Sequence, residues 1–108
     1  MGEVTVRDTK DPCPVFDGKM WHIYGSGGTV ASEEWAILHA TAPDLNGAWT
    51  EQPSVDLRGL EGRHIAAPGV IFENEQFHML VQTEYMNLGG TIEYLVSNDG
   101  KAYERVGT

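Results

Sequence analysis

Apolar residues fall into short runs along this chain, each run ends at a turn, and the order of runs and turns is written twice. In residues 11–27, DPCPVFDGKMWHIYGSG, the run CPVF meets Asp17-Gly18 and the longer run MWHIYG follows. In residues 67–83, APGVIFENEQFHMLVQT, GVIF meets Glu73-Asn74 and FHMLVQT follows. Two apolar runs about a turn are the sequence form of a β-hairpin. A Gly-rich or polar loop comes next (GSGGTVASEE, EYMNLGG), then a third run (WAILHAT, TIEYLVS) and another strong turn (PDLNG, NDG). A short fourth run opens at Trp49 or Tyr103. Nowhere does an apolar period of 3.6 persist long enough to predict a helix.

Pro68 follows Pro12 by 56 residues (68 − 12), and the same offset pairs Val15 with Ile71, Phe16 with Phe72, Trp21 with Phe77, His22 with His78 and Ile23 with Met79 without a gap. It extends to Ala40-Thr41 against Val96-Ser97, and Trp49 then falls two residues out of step with Tyr103. A self-similar unit of this length, four strands per copy and about eight in all, predicts an all-β fold of two four-stranded antiparallel β-propeller blades. The whole chain, 1–108, is then one partial propeller domain, the first blade covering about 8–54 and the second about 60–108. Strand count alone also fits an immunoglobulin-like sandwich; the repeat weighs against it. The expected core is Val15, Phe16, Trp21, Ile23, Ile71, Phe72, Phe77 and Met79.

Composition changes the picture mainly by exclusion. With 41% hydrophobic and 21% charged residues in 108, the chain fits one globular unit. A net charge of −9 and a pI near 4.6 argue against nucleic acid and anionic membrane as partners, since both demand clustered Lys and Arg, and leave neutral ligands as the better match. No stretch approaches the roughly 18 consecutive apolar residues of a membrane span, and MGEVTVRDTK lacks the apolar run of a signal peptide. The single cysteine, Cys13, forms no internal disulfide, so the compartment stays open.

The repeat serves as its own control, because a residue that serves the blade recurs in both copies, whereas chemistry need appear once. By that test His22 and His78, like Trp21 and Phe77, are packing or hydrogen-bonding residues. Asp11 against Ala67 is the opposite case, a carboxylate at one blade entrance and a methyl at the other. An Asp ahead of a proline also caps turns, and both readings stand at this point.

The string DPCPVFDGKMWHIYGSG resembles the opening blade of the five-bladed propeller glycoside hydrolases, family 43 and its relatives. Those begin with an Asp-Pro pair, an apolar strand, a D-G turn and an aromatic-rich second strand, and Ala67-Pro68-Gly69-Val70 is similar to the Ala-Pro start of their second blade. The resemblance spans residues 8–106 in pattern and implies the N-terminal two-blade portion of such a propeller. It implies hydrolysis of glycosidic bonds in a plant- or microbe-derived oligosaccharide or polysaccharide, with carbohydrate as partner and neither cofactor nor metal. Asp11 then matches the carboxylate that activates water or attacks the anomeric carbon.

In a blade, the segments entering strand one and the loops joining strands two and three share a face. That gathers Asp11, Glu61, Arg63 and His64 with Ser26, Glu84 and Tyr85. Asp11 and Glu61 are the catalytic candidates; His64, Arg63, Ser26, Glu84 and Tyr85 are the substrate-binding ones. Glu61 sits in LEGRHIAAPG, where Arg63 replaces the proline of the Glu-Gly-Pro context that holds the family's acid, and the segment comes earlier than that acid does. Asp17, Asp44, Asn74 and Asp99 fall on the opposite face as turn formers. Trp35, opening a third strand, reads as core or as a platform for a sugar ring.

Two blades leave apolar sides and a strand edge open, so the ring is completed by further blades of the same chain or by self-association. The alternative function is a non-catalytic sugar-binding propeller module closed by oligomerisation, which has no need of a carboxylate in one blade only.

Overall fold

The structure, a computed structural model, describes residues 10–29, 34–60, 65–83 and 90–107. Among them there is no helix and there are nine strands: β1 (Lys10–Phe16), β2 (Trp21–Thr29), β3 (Glu34–Ala42), β4 (Thr50–Gln52), β5 (Asp56–Arg58), β6 (Ile65–Glu73), β7 (Gln76–Thr83), β8 (Ile92–Ser97) and β9 (Ala102–Gly107). They form two sheets, β1-β2-β3-β4 and β5-β9-β8-β7-β6. Within each copy of the repeat the chain meanders antiparallel from neighbour to neighbour, unlike the Greek-key crossing of an immunoglobulin sandwich.

The turns are written in local chemistry. Asp17 Oδ1 accepts from the backbone N–H of Lys19 (2.8 Å) and Met20 (2.7 Å), with Gly18 at φ 96°. The second hairpin turns on Asn74 and Glu75, at φ 54° and 62°, both left-handed as a two-residue type I′ loop requires. That is one residue later than the Glu73-Asn74 pair expected from sequence. Asp99 Oδ1 accepts from Lys101 and Ala102, and Asp44 Oδ1 from Asn46.

Strand pairing confirms the offset of 56 through the hairpins: Phe16 faces Trp21 as Phe72 faces Phe77, and Val15 faces His22 as Ile71 faces His78. In the third strand the offset drops to 55 (97 − 42), because Trp21 faces Ala42 where Phe77 faces Ser97. The equivalent of Ala40 is therefore Leu95, not Val96, and the equivalent of His39 is Tyr94.

The two copies bury opposite faces. Side chains alternate along a strand, so one sheet can turn only one set of residues to its neighbour. The first sheet buries Val15, His22, Tyr24, Ser26, Ile37 and His39 on one face, with Leu38, Ala40 and Ala42 of β3 buried on the other; the second buries Val70, Phe77, Met79, Val81, Glu93 and Leu95. Under the register these are unlike faces, the back of the first blade against the front of the second, as a stack of blades demands. Phe77 meets His22 edge-on at 4.8 Å between ring centroids, and β6 lies across β1, β2 and β3. A fully buried Phe or Leu in such a seam contributes about 1.5–3 kcal/mol.

Face parity corrects the expected core. Val15, Phe77 and Met79 are buried as expected, but Ile71 is 57% exposed and Phe16 44%, because each lies on the free side of its sheet. Trp21, Ile23 and Phe72 are half-buried. The apolar runs contain residues of both parities because a blade has two faces to cover, and in this pair each sheet has a blade neighbour on one side.

The count of eight strands also needs correction. Residues 56–58, in the connection between copies, form β5, which pairs parallel with β9 at the outer edge of the second sheet. Val55, Leu57 and Leu60 of this connection are buried, and Val55 N–H donates to Ile37 O across to the first sheet (2.9 Å). The linker is thus packed as a strap, because its alternate apolar residues reach the seam.

Candidate functional site

The strand directions place one end of both blades together: the start of β1 and β6, the end of β2 and β7, and the start of β3 and β8. At that end each first strand has a bulge, between Lys10 and Cys13 and between Ala66 and Gly69. In each bulge the residue ahead of proline is left-handed, Asp11 at φ 54° and Ala67 at φ 55°. A residue before proline is normally extended, and a left-handed Cβ costs about 1–2 kcal/mol, so the surrounding pairing has to impose this conformation twice. The backbone twist therefore belongs to the blade. What differs is the side chain it presents.

Asp11 is exposed, and among the described residues its carboxylate makes no hydrogen bond. It does not cap the backbone of residues 13 or 14. Ser26, paired in the sheet with Lys10, is fully buried, and its Oγ accepts from Ala67 N–H at 2.6 Å. That hydroxyl ties the second blade's entrance to the first blade at the bulge beside Asp11. Glu61, Arg63, His64, Glu84 and Tyr85 lie outside the described residues.

A carboxylate that the sequence reading did not single out stands at this same end. Glu93 is 1% exposed, with Oε2 accepting from Thr91 Oγ1 (2.5 Å) and Oε1 from Arg105 Nε. Thr91 Oγ1 in turn meets Thr83 Oγ1 at 2.8 Å. With the third-strand offset of 55, Glu93 replaces Leu38 of the first copy, so comparison of the copies would have flagged it had the register been known. Glu93 is buried on the face of β8 that carries Leu95, while the Arg105 side chain of the pair is 41% exposed.

At the opposite end, His22 Nε2 lies 2.8 Å from Asp17 Oδ2 and His22 Nδ1 lies 2.8 Å from His39 Nε2, so the three side chains form one hydrogen-bonded wire. His39 Nδ1 is buried and, among the described residues, has no partner. Burial, followed by the neighbouring His22, pushes the His39 imidazole down to about 3, so this ring stays neutral. Burial pushes the Asp17 carboxyl up, but the bonds from Met20, His22 and Lys19 outweigh it and hold the carboxyl below its usual range. In the second copy His78 Nδ1 meets Tyr94 OH (2.7 Å) and Nε2 meets Glu73 O (3.1 Å). The wire recurs with altered members, as expected of a structural device. Among the described residues no group of three His, Cys, Asp or Glu comes together to hold a metal ion.

The fold has close counterparts among solved structures. An exo-β-1,3-galactanase from Phanerochaete chrysosporium, solved with β-1,3-galactotriose, superposes with a TM-score of 0.74 at 19% identity, covering 96% of this chain and 26% of that one. A β-xylosidase, RS223, gives 0.71 at 18% identity over 93% and 36% of the two chains. The native arabinanase of Bacillus subtilis gives 0.67 at 17% identity over 90% and 36%. The chain thus shares the fold of about a quarter to a third of each of these proteins. No protein-family model and no curated protein matches the sequence.

Proposed function

We propose that this chain is the two-blade opening portion of a glycoside hydrolase, supplying one carboxylate and part of the wall of a sugar pocket. The observation that supports it is the Asp11–Ala67 pair: one imposed backbone conformation, with a free, exposed carboxylate in the first blade only. Solved structures of the same fold include a xylosidase, an arabinanase and a galactanase, which makes a glycosidic bond the bond to consider.

Glycoside hydrolysis needs one carboxyl group ionised, to activate water or attack the anomeric carbon, and another protonated, to assist the leaving oxygen. Asp11, exposed at the blade entrance, is proposed for the first role, as general base or nucleophile. Glu61 is the candidate for the second within this chain. His64, Arg63, Glu84 and Tyr85 are proposed to hold sugar hydroxyls from the loops around Asp11. Ser26 is proposed to act at one remove, by fixing the Ala67 entrance.

The test is hydrolysis of aryl glycosides and of xylo-, arabino- and galacto-oligosaccharides by the protein in which these two blades stand in a completed ring. Asp11→Asn is expected to lower kcat by at least about a thousandfold while the sugar still binds. Equal turnover by the variant would end the catalytic reading. Binding of sugar without turnover by either protein would favour the non-catalytic module instead.

A further inference from the structure

The contact between the two blades can be repeated, because both of its halves are present a second time on the free sides of the pair. Inside the chain, Val15, His22 and Tyr24 face Val70, Phe72, Phe77 and Met79. The register equivalents of the first set are Ile71, His78 and Leu80, on the free side of the second blade. The equivalents of the second set are Pro14, Phe16, Trp21 and Ile23, on the free side of the first. Ile71 and Leu80 are 57% and 52% exposed and, with His78 and Tyr94, line an open apolar groove of about 740 Å³. Even the polar wire matches: His78 Nδ1 to Tyr94 OH at 2.7 Å stands where His22 Nδ1 to His39 Nε2 at 2.8 Å stands in the seam.

We infer that the Ile71–His78–Leu80 face is a docking surface for a second copy of this chain, which presents the Phe16–Trp21 face of its first blade. The incoming Trp21, already packed on Phe16 at 5.1 Å, takes the place over His78 that Phe77 takes over His22. The groove's lining is apolar apart from His78, Tyr94 and one carboxylate, Glu73, at the hairpin end. Because unlike faces meet, the association is head to tail and each added copy exposes the same free face again, until three copies close six blades or the stack stays open. This inference concerns the 108-residue chain by itself and stands apart from any glycosidic chemistry.

Sedimentation of the chain over a hundredfold concentration range tests it, together with Leu80→Glu, Ile71→Glu and Phe16→Glu, all at exposed positions. The wild type is expected to gain mass with concentration, and each variant alone to associate at least tenfold more weakly with an unchanged circular dichroism spectrum. An equimolar mixture of Leu80→Glu and Phe16→Glu retains one intact pair of faces and is expected to give dimers and nothing larger. Ile71→Glu repeats the Leu80 arm should that variant fail to fold. A wild-type monomer at every concentration would overturn the inference, as would association that survives Phe16→Glu, which would mean like faces meeting.

Discussion

Asp11 and Ala67 hold one backbone conformation 56 residues apart (67 − 11), at φ 54° and 55°, each ahead of a proline and each inside a bulge of its blade's first strand. The strain is common to both blades, so it cannot be explained by catalysis at one of them. Asp tolerates the left-handed region better than Ala does. Ala67→Gly is therefore expected to stabilise the chain by about 0.5–1 kcal/mol, the relief of Cβ strain less the extra freedom of glycine when unfolded. Asp11→Asn is expected to change the unfolding free energy by less than about 0.5 kcal/mol, as an exposed side chain without partners should. Urea titration measures both. A loss of more than about 1 kcal/mol in Asp11→Asn would identify the carboxylate as a structural cap.

Acid should weaken the blade seam in two stages. His39 is held neutral to about pH 3 in the folded chain, against an ordinary value of 6.5, so between these limits the unfolded state binds the extra proton. Stability then falls as pH falls, by up to about 1.4 kcal/mol per pH unit. Asp17, whose carboxyl is depressed below its ordinary 3.8, adds a loss in the same direction below that pH. Urea midpoints from pH 7 to 3 should show this slope. His39→Leu should flatten the upper stage while lowering stability at pH 7, since His22 Nδ1 loses its buried partner.

Tyr24 links the blades by donating to Gly100 O (2.7 Å) and accepting from Tyr103 OH (3.0 Å), all of them buried. Tyr24→Phe leaves that carbonyl and that hydroxyl short of a partner and is expected to cost about 1–3 kcal/mol. Burial raises the ionisation of both tyrosines above the ordinary 10, so stability should also decline as pH rises past 10, where only the unfolded chain loses these protons. Thermal unfolding of the wild type and the variant at pH 7 and 10.5 checks both effects.

Ser26→Ala removes the acceptor of Ala67 N–H and should cost about 1–2 kcal/mol. The same change should speed hydrogen exchange at the Ala67 amide more than at amides of β7, which keep their ladder. Equal acceleration everywhere would mean that the bond adds nothing local.

The fold was legible where local chemistry writes it. The hairpins show as apolar runs about D-G and E-N turns, and Asp17 was readable as a turn former from its neighbour Gly18. Which face each run buries was not legible, because Phe16 and Ile71 differ from Val15 and Val70 only in parity, and parity is fixed by which blade lies on which side. The one-residue drop in offset at the third strand hid the equivalence of Glu93 with Leu38, and so hid a buried carboxylate. Asp17's bond to His22 was not legible for a different reason: it is local to the first hairpin, but the pattern of run and turn does not say that His22 lies on the side of the hairpin to which the Asp17 carboxylate turns. Asp11 was legible as a difference between copies, but its positive φ was not, since nothing in Asp-Pro announces a bulge.

The strap β5 bears on how such a pair of sheets resists misassembly. Unpaired strand edges template fibrils, and each edge here carries a different obstacle. The outer edge of the second sheet is covered by three residues of β5, and that of the first is β4, equally short. The inner edges, β1 and β6, carry Pro12, Pro14 and Pro68, which lack the amide donor a new strand would need, and each is bent by its bulge. The bulge that presents Asp11 therefore doubles as a guard against cross-β growth, so straightening it to optimise the ladder would trade solubility for hydrogen bonds.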